Sequence, residues 1–416
     1  MIRVRVPPDD RGPLARRFTF ESHVGKEGLS EITAEWRALA ASLPRHWFHH
    51  LPEWYACYLD ALEPDASLVR FYAIRVGASL HAIVPLKATS LRVMGRQVSV
   101  LTLPFGDHLP FGDIICRPDA NTEAIGRALI SHLRRSADVG WDLLVLPRVL
   151  DGAAAEGLAS GVPAFRRATR AQGTCDYITI AGADSTRGFI SGKFLRDLRR
   201  RRNKLHQVGT VEFDVATSHS ALRHSYENFL AVEASGWKGA GGSGTAIALD
   251  PRLVAFYRAL IDRFAPLDGC EISELRVAGR CAAAQFTLVV DGAWYLLKMG
   301  YDESLSPMAP GNLLVEHALG RHCTTPAISE VNLVSDASWH SGWDPASLVV
   351  CTHFVANLTL RGIITVAALR VKERLIARRA RRATANRAQV TAGRPPTAAS
   401  AQPTNAPDGL EPAGRA

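Results

Sequence analysis

The sequence predicts a mixed α/β protein in which one strand–helix arrangement occurs twice, followed by a basic, disordered tail. Three observations carry this. Short runs rich in β-branched and aromatic residues alternate with stretches that have a helical spacing of apolar residues. Residues 18–150 and 186–343 share one order: a Trp-bearing helical segment, a hairpin, a loop, an amphipathic helix and a closing strand. The clearest local unit, residues 293–321, passes from an aromatic strand through a Pro- and Ser-containing loop into a helix that starts at Pro310-Gly311. The expected division is an arm over 1–17, domains over 18–180 and 181–376, and a disordered basic tail over 377–416.

Taken in order, residues 28–42 have helical spacing around Trp36 and Leu39, and a second helix follows over 54–62. Residues 68–76 and 80–91, joined by Gly77-Ala78-Ser79, predict a β-hairpin, and 97–103 predict a further strand. After a Gly/Pro/Asp loop at 105–115, Ile125, Leu129, Ile130 and Leu133 form the stripe of an amphipathic helix over 121–137. Residues 142–146 form a short apolar strand. Residues 151–174, rich in Ala and Gly, are expected to be a connection, and 176–180 a strand. The second half repeats the theme: a basic helix over 185–207, a strand at 209–216, a helix at 218–234, a flexible loop at 236–244, and a helix at 250–264 capped by Asp250-Pro251. Three strands follow, 270–277, 280–290 and 294–301, joined by Ala278-Gly279 and Asp291-Gly292. Beyond the 311–321 helix come a strand at 328–334, a polar aromatic loop at 335–345 and a long, partly broken helix at 348–375.

The 416 residues, with 47% hydrophobic and 21% charged, support an ordinary globular protein with two or three domains. Seven scattered cysteines, none in a Cys-x-x-Cys pair, give neither a disulfide framework nor a zinc site. They fit reduced thiols in a cytoplasmic protein. Residues 1–20 lack the apolar core of a signal peptide. The longest apolar stretch, 347–369, is broken by His353, Asn357 and Arg361 and is read as buried or amphipathic. No metal is expected: His46, His49 and His50 lie in a loop between Pro44 and Pro52 with no supporting acid or cysteine pattern. The net charge of +9 is concentrated at 193–204, with seven Lys/Arg against one acid, and at 370–387. Such blocks suit a phosphorylated ligand or an anionic membrane face.

The strand–loop–helix unit has a physical use. The first amides of a helix have no intrahelical acceptor, and the dipole adds positive potential there, so phosphate or carboxylate is favoured without any cationic side chain. Gly311 lets the main chain approach such a group closely.

The second half resembles the GNAT-fold acetyltransferases of the CelD/BcsL type, associated with cellulose and exopolysaccharide biosynthesis. It is also similar to the Fem aminoacyl transferases, which carry two GNAT-like domains in tandem. The residues that carry the resemblance stand in family order: FLRDLRRRRNKLHQVG from Phe194, Glu233 to Trp237, ELRVAGRCAAAQFTL from Glu274, Tyr301-Asp302 through Ser306 to Pro310-Gly311-Asn312-Leu313-Leu314, and NLVSDASWHSGW from Asn332. The chain departs from the family in two places: Trp339-His340 stands where a Tyr-Lys pair is usual, and Pro-Gly precedes the helix instead of a glycine-rich loop.

The resemblance implies an acyltransferase using acetyl-CoA or another acyl-CoA, with an amine or hydroxyl of a sugar or polysaccharide-related molecule as acceptor. It implies donor contacts at Ser306, Pro310, Gly311, Asn312 and Leu313, with Lys298 supplying charge to phosphates. Trp237, Lys238, Tyr301 and Trp339 are the expected acceptor contacts. Candidates for the base are, in order, His340, Asp336, Asp302 and Glu233. Two alternatives remain open: a Fem-like transferase using aminoacyl-tRNA, although nucleic acid is not the expected partner, and a non-catalytic partner of a polysaccharide synthase. In the latter the basic C-terminal helix would touch an anionic membrane.

Overall fold

A computed structural model describes residues 18–392 apart from 94, 137–138, 181–189 and 325–326, with side chains described to residue 379. The expected arm at 1–17 and the part of the expected tail at 393–416 lie outside the described residues.

The first half runs β1 (Phe18–Val24), α1 (Gly25–Ala41), α2 (Pro52–Ala61), β2 (Val69–Val76), β3 (Ser79–Val93), β4 (Arg96–Thr102), β5 (Ile115–Cys116), α3 (Thr122–Arg135) and β6 (Leu143–Leu150). After α4 (Ala154–Ser160), β7 (Arg167–Thr179) and α5 (Gly192–Val208), the order recurs. It runs β8 (Val211–Ala216), α6 (His219–Ser235), α7 (Pro251–Phe264), β9 (Cys270–Val277), β10 (Arg280–Val290), β11 (Ala293–Tyr301), α8 (Pro310–Cys323) and β12 (Glu330–Asn332). β13 (Ala346–Ala356) and α9 (Leu360–Ala392) close the described chain.

All strands join one sheet in the order β1-β2-β3-β4-β6-β13-β7-β12-β11-β10-β9-β8, with β5 paired to β3. The order is symmetric about its centre, with one exchange. β7, which follows the first half in sequence, pairs with β12 of the second, and β13, which follows the second half, pairs with β6 of the first. β7 and β13 then pair with each other over most of their length. One face carries a core common to both halves, in which Trp54 of α2 meets Phe256 of α7 with ring centroids 5.4 Å apart. On the other face α3 covers the first half, and α5 and α8 cover the second, in separate cores.

The hairpin turns form as the sequence dictates. Ala278-Gly279 and Asp291-Gly292 both have positive φ at both positions, the conformation that matches the strand twist. Asn121, Ser218 and Asp250 each cap the helix that follows.

Four expectations are corrected. Residues 346–356 form a strand, not the start of a long helix, because the run from Val350 to Val355, rich in β-branched residues, is held between two strand partners. β7 begins at Arg167, inside the stretch expected to be a connection, because its first residues pair with β13. β1 stands where only a helical segment was expected, paired to β2 along its whole length. The loop expected at 236–244 is a loop, and it contains hydrogen-bonded turns, among them Gly239 N–H to Gly236 O at 2.9 Å. α9 continues past residue 377, where the tail was expected to start, to Ala392. Among the described residues, those from Leu369 onward form a unit separate from those before it. Among the described residues, no helix is long and apolar enough to cross a membrane.

Candidate functional site

β11 and β12 run parallel but pair only at Ala293–Tyr295 with Glu330–Asn332. Beyond Tyr295 the two strands part, and among the described residues the edge of β11 from Leu296 to Tyr301 has no strand beside it on that side. A cavity of about 640 Å³ occupies the gap. Its walls include β11, the start of α8, and the loop after β12, and it is closed by residues from the first half, among them Asp107, His108 and Arg148.

Two local features aim side chains into this space. β11 carries a bulge: Lys298 stands opposite Phe286 and Leu296 opposite Thr287, which leaves Leu297 as the extra residue. Leu296, Leu297 and Lys298 consequently all line the cavity. At the start of α8, Ala309 adopts left-handed φ 48 and has no capping side chain. Its carbonyl accepts from Leu313 N–H at 3.1 Å. Pro310 has no amide hydrogen, so Gly311 and Asn312 hold the free donors; among the described residues neither N–H has an acceptor. A Cβ at Gly311 would lie 2.9 Å from Met299 Sδ, so the glycine lets α8 sit against β11.

The electrostatics centre on Lys298. Burial lowers its ammonium from 10.5 to about 8; Lys238 and, more weakly, Arg148 push the same way, while Glu233 and Asp107 oppose. Burial, with Lys298 and Lys238 beside it, lowers His108 to about 3, so its ring is neutral at pH 7. His108 Nδ1 lies 3.0 Å from the Tyr257 hydroxyl. Lys238 Nζ is held 3.1 Å from Glu233 Oε1 and 3.1 Å from Met299 O, and Glu233 Oε2 accepts from Ile247 N–H at 2.8 Å.

Of the residues singled out from the sequence, Lys298, Ser306, Pro310, Gly311, Asn312, Trp237, Lys238, Tyr301 and Trp339 meet at this cavity. Leu313 does not: its side chain is fully buried and its amide is used within the turn. The Asn312 side chain accepts from Trp343 Nε1 at 3.1 Å through its carbonyl oxygen, so its Nδ2 donors and its backbone N–H stay available to a ligand. Among the base candidates, Glu233 reaches the cavity only through Lys238. Asp302 caps the turn at Ser304, accepting from its N–H at 2.9 Å and its hydroxyl at 2.7 Å. Asp336 accepts from Thr174 N–H at 3.2 Å on β7. His340 is buried, with Nδ1 2.8 Å from Asp176 Oδ2 and Nε2 unpartnered, and it is not among the lining residues. Asp107, His108, Arg148 and Tyr257 were not singled out from the sequence. The only local sign was the Gly/Pro/Asp character of the 105–115 loop, which says loop and not site.

One cluster has metal-ligand composition. Donor atoms of His49, His50 and Asp113 lie within 4.8 Å of one another, all buried. His50 Nδ1 accepts from Trp47 N–H at 3.1 Å, so the ring proton sits on Nε2 and is donated to Asp113 Oδ2 at 2.9 Å. Asp113 Oδ1 accepts from the amides of Ile114 and Ala155. These hydrogen bonds engage both ring nitrogens of His50 and both carboxylate oxygens of Asp113.

Residues 192–340 match the family model described as an acetyltransferase (GNAT) domain. No curated protein matches the chain in sequence. Among solved structures, FemX is similar at TM-score 0.52 and 10% identity, covering 80% of this chain and 98% of that one. A conserved protein of unknown function from Bacteroides thetaiotaomicron is similar at 0.51 and 12%, covering 78% and 97%. The C-terminal domain of a protein from Agrobacterium fabrum described as a lysylphosphatidylglycerol synthetase is similar at 0.51 and 9%, covering 82% and 96%. At these identities the likeness is one of fold alone: a mixed α/β chain whose two halves repeat one order of elements on one large sheet.

Proposed function

We propose that the protein is an acyltransferase that moves an acetyl or other acyl group from acyl-CoA to an amine or hydroxyl of a sugar or polysaccharide-related acceptor. One observation carries the reading: the free amides of Gly311 and Asn312 and the unpaired edge of β11 open into the same cavity. The amides and the helix dipole suit the diphosphate of the donor. The strand edge suits an extended, amide-bearing arm, which can take up main-chain hydrogen bonds left without a strand partner. Within the proposed division, residues 181–376 serve the donor and residues 18–180 close the acceptor side.

Lys298, not His340, takes the proton, because Lys298 lines the cavity and its ammonium is held near the working pH. The acceptor lone pair forms a bond to the thioester carbonyl carbon, the C–S bond breaks to release the CoA thiolate, and the acceptor proton passes to neutral Lys298. Lys238, tied to Glu233, keeps a second positive charge nearby. Trp237 and Trp339 supply apolar walls, and Trp237 N–H is fixed by Glu303 at 2.8 Å.

Thermal shift with acetyl-CoA and longer acyl-CoAs tests the reading, since a ligand that binds only the folded state raises its melting temperature. A rise of several degrees is expected, shrinking by more than half in Gly311→Val. An unchanged melting temperature at saturating acyl-CoA would end the proposal.

The exposed cations Lys193, Arg196, Arg199 and Lys204 on α5 favour one second reading, in which the donor is aminoacyl-tRNA. In that case binding to tRNA falls steeply with salt. The basic residues of α9 are proposed to touch anionic membrane, which vesicle pelleting with and without residues 370–416 reads out.

A further inference from the structure

Two β-bulges, one in each half, turn one cation each toward the same cavity. The first is the Leu297 bulge beside Lys298. The second is in β6: Val149 pairs with Cys351 and Leu146 with His353, so Pro147 and Arg148 together oppose Thr352. Arg148 has φ 53, a conformation that a side-chain-bearing residue adopts only where its surroundings hold it. Here they do. Its N–H meets Thr352 Oγ1 at 3.3 Å, its carbonyl accepts from Gly112 N–H at 3.3 Å, and its Nε donates to Pro110 O. The side chain is therefore tethered through Nε. Among the described residues, neither terminal guanidinium nitrogen has a hydrogen-bond or ion-pair partner.

Arg148 lines two spaces. One is the cavity of Lys298; the other is a groove of about 420 Å³ whose walls include Thr89, Leu91, Val100, Phe105 and Gln172. Among the described residues, Arg148 is the one charged residue lining that groove. A free guanidinium fork thus stands between an uncharged groove and the proton-accepting lysine. Among the described residues, the other charged or titratable groups facing this junction are Lys238 with Glu233, Asp107, neutral His108, and the phenols of Tyr257 and Tyr301. Three cations, Arg148, Lys298 and Lys238, stand against the two carboxylates.

We propose that the acceptor is anionic, with a carboxylate or phosphate gripped by Arg148, its uncharged body in the groove, and its nucleophile directed at Lys298. The inference rests on the acyltransferase reading above and adds the acceptor class to it. A guanidinium holds a planar or tetrahedral oxyanion through two parallel N–H···O bonds, and such charge-assisted bonds are the strong ones. The groove's hydroxyl, amide and apolar walls suit a sugar ring or a short chain.

Titration calorimetry on the full chain with paired probes tests this: glucosamine 6-phosphate against glucosamine, and glycine against glycinamide. The member of at least one pair that carries the phosphate or carboxylate should bind about tenfold more tightly or better, and the larger ratio identifies phosphate or carboxylate. Arg148→Gln should abolish the ratio. Arg148→Lys, which loses the Nε tether equally but keeps a charge, should retain most of it, an outcome that a purely structural role for Arg148 would not give. Thr89→Trp, at an exposed position on the groove wall, should weaken glucosamine 6-phosphate about tenfold with the guanidinium untouched. Equal affinity for the probes with and without the anionic group, no binding of either anion-bearing probe at millimolar concentration, or a ratio unaltered in Arg148→Gln overturns the inference. Acetyl-CoA binding is followed on the same preparations. Its absence with discrimination intact would remove the acyl-CoA reading and leave the anion site standing. Its presence with no discrimination would remove the anion site alone.

Discussion

Lys298 sits where burial, two cations and two carboxylates compete over one proton, and burial is the largest influence. The rate of acyl transfer is expected to rise with pH through about 8, as the neutral amine forms. Lys298→Met should lower turnover about 100-fold or more, remove that rising limb and leave the acyl-CoA thermal shift in place. The same shift has a stability consequence of known sign. With the folded-state value near 8 and the ordinary one near 10.5, the unfolded chain binds more protons between them, so stability rises with pH across that window. His108 works in the acid range: held near 3 against an ordinary 6.5, it makes the folded state lose stability as pH falls from 6.5 toward 3. His108→Gln should flatten that part of an acid-unfolding curve followed by circular dichroism. Lys298 was legible in the sequence as a strand residue beside a phosphate-type loop. His108, Arg148 and Tyr257 were not, because His108 and Tyr257 are 149 positions apart and no local pattern announces their meeting.

At the scale of elements, the site depends on how closely β11 lies against the helices on either side. A Cβ at Gly300 would come within 2.6 Å of Glu233 Cα, a main-chain atom that cannot yield without moving α6. Gly300→Ala should destabilise the protein by about 1–3 kcal/mol, read in denaturant unfolding, and lower turnover as well, because Glu233 positions Lys238. The hairpins β9–β10–β11 were legible because Ala278-Gly279 and Asp291-Gly292 are strong turn signals flanked by apolar runs. β13 was misread because its Val, Cys, Thr and Phe residues form an apolar run whose period alone does not separate strand from buried helix. The two strands that hold it decide the matter.

Across the whole molecule, the exchange of β7 and β13 makes the halves interdependent. Neither half contains all of its own sheet, so a chain ending before residue 346 leaves β6 and β7 with one edge each unpaired in the middle of the sheet. Such exposed edges are open to pairing with other chains. The truncated chain is expected to lose near-ultraviolet dichroism from the tryptophans of both halves, Trp36 and Trp54 as well as Trp294, and to aggregate; a folded, monomeric first half would refute this. The shared core of α2 and α7 works in the same direction, since Trp54 and Phe256 bury each other.

By itself the sequence determined the repeated order of strands and helices, the turns, the caps and the Pro-Gly helix start, because each depends on residues within a few positions of one another. It also supplied nine of the residues that line the cavity. Only the tertiary structure decided which strands cross from one half to the other, which carboxylates are merely caps, and which side chains of the first half close the cavity of the second. Those outcomes depend on burial and on charges brought together from distant parts of the chain, and neither quantity exists until the sheet has formed.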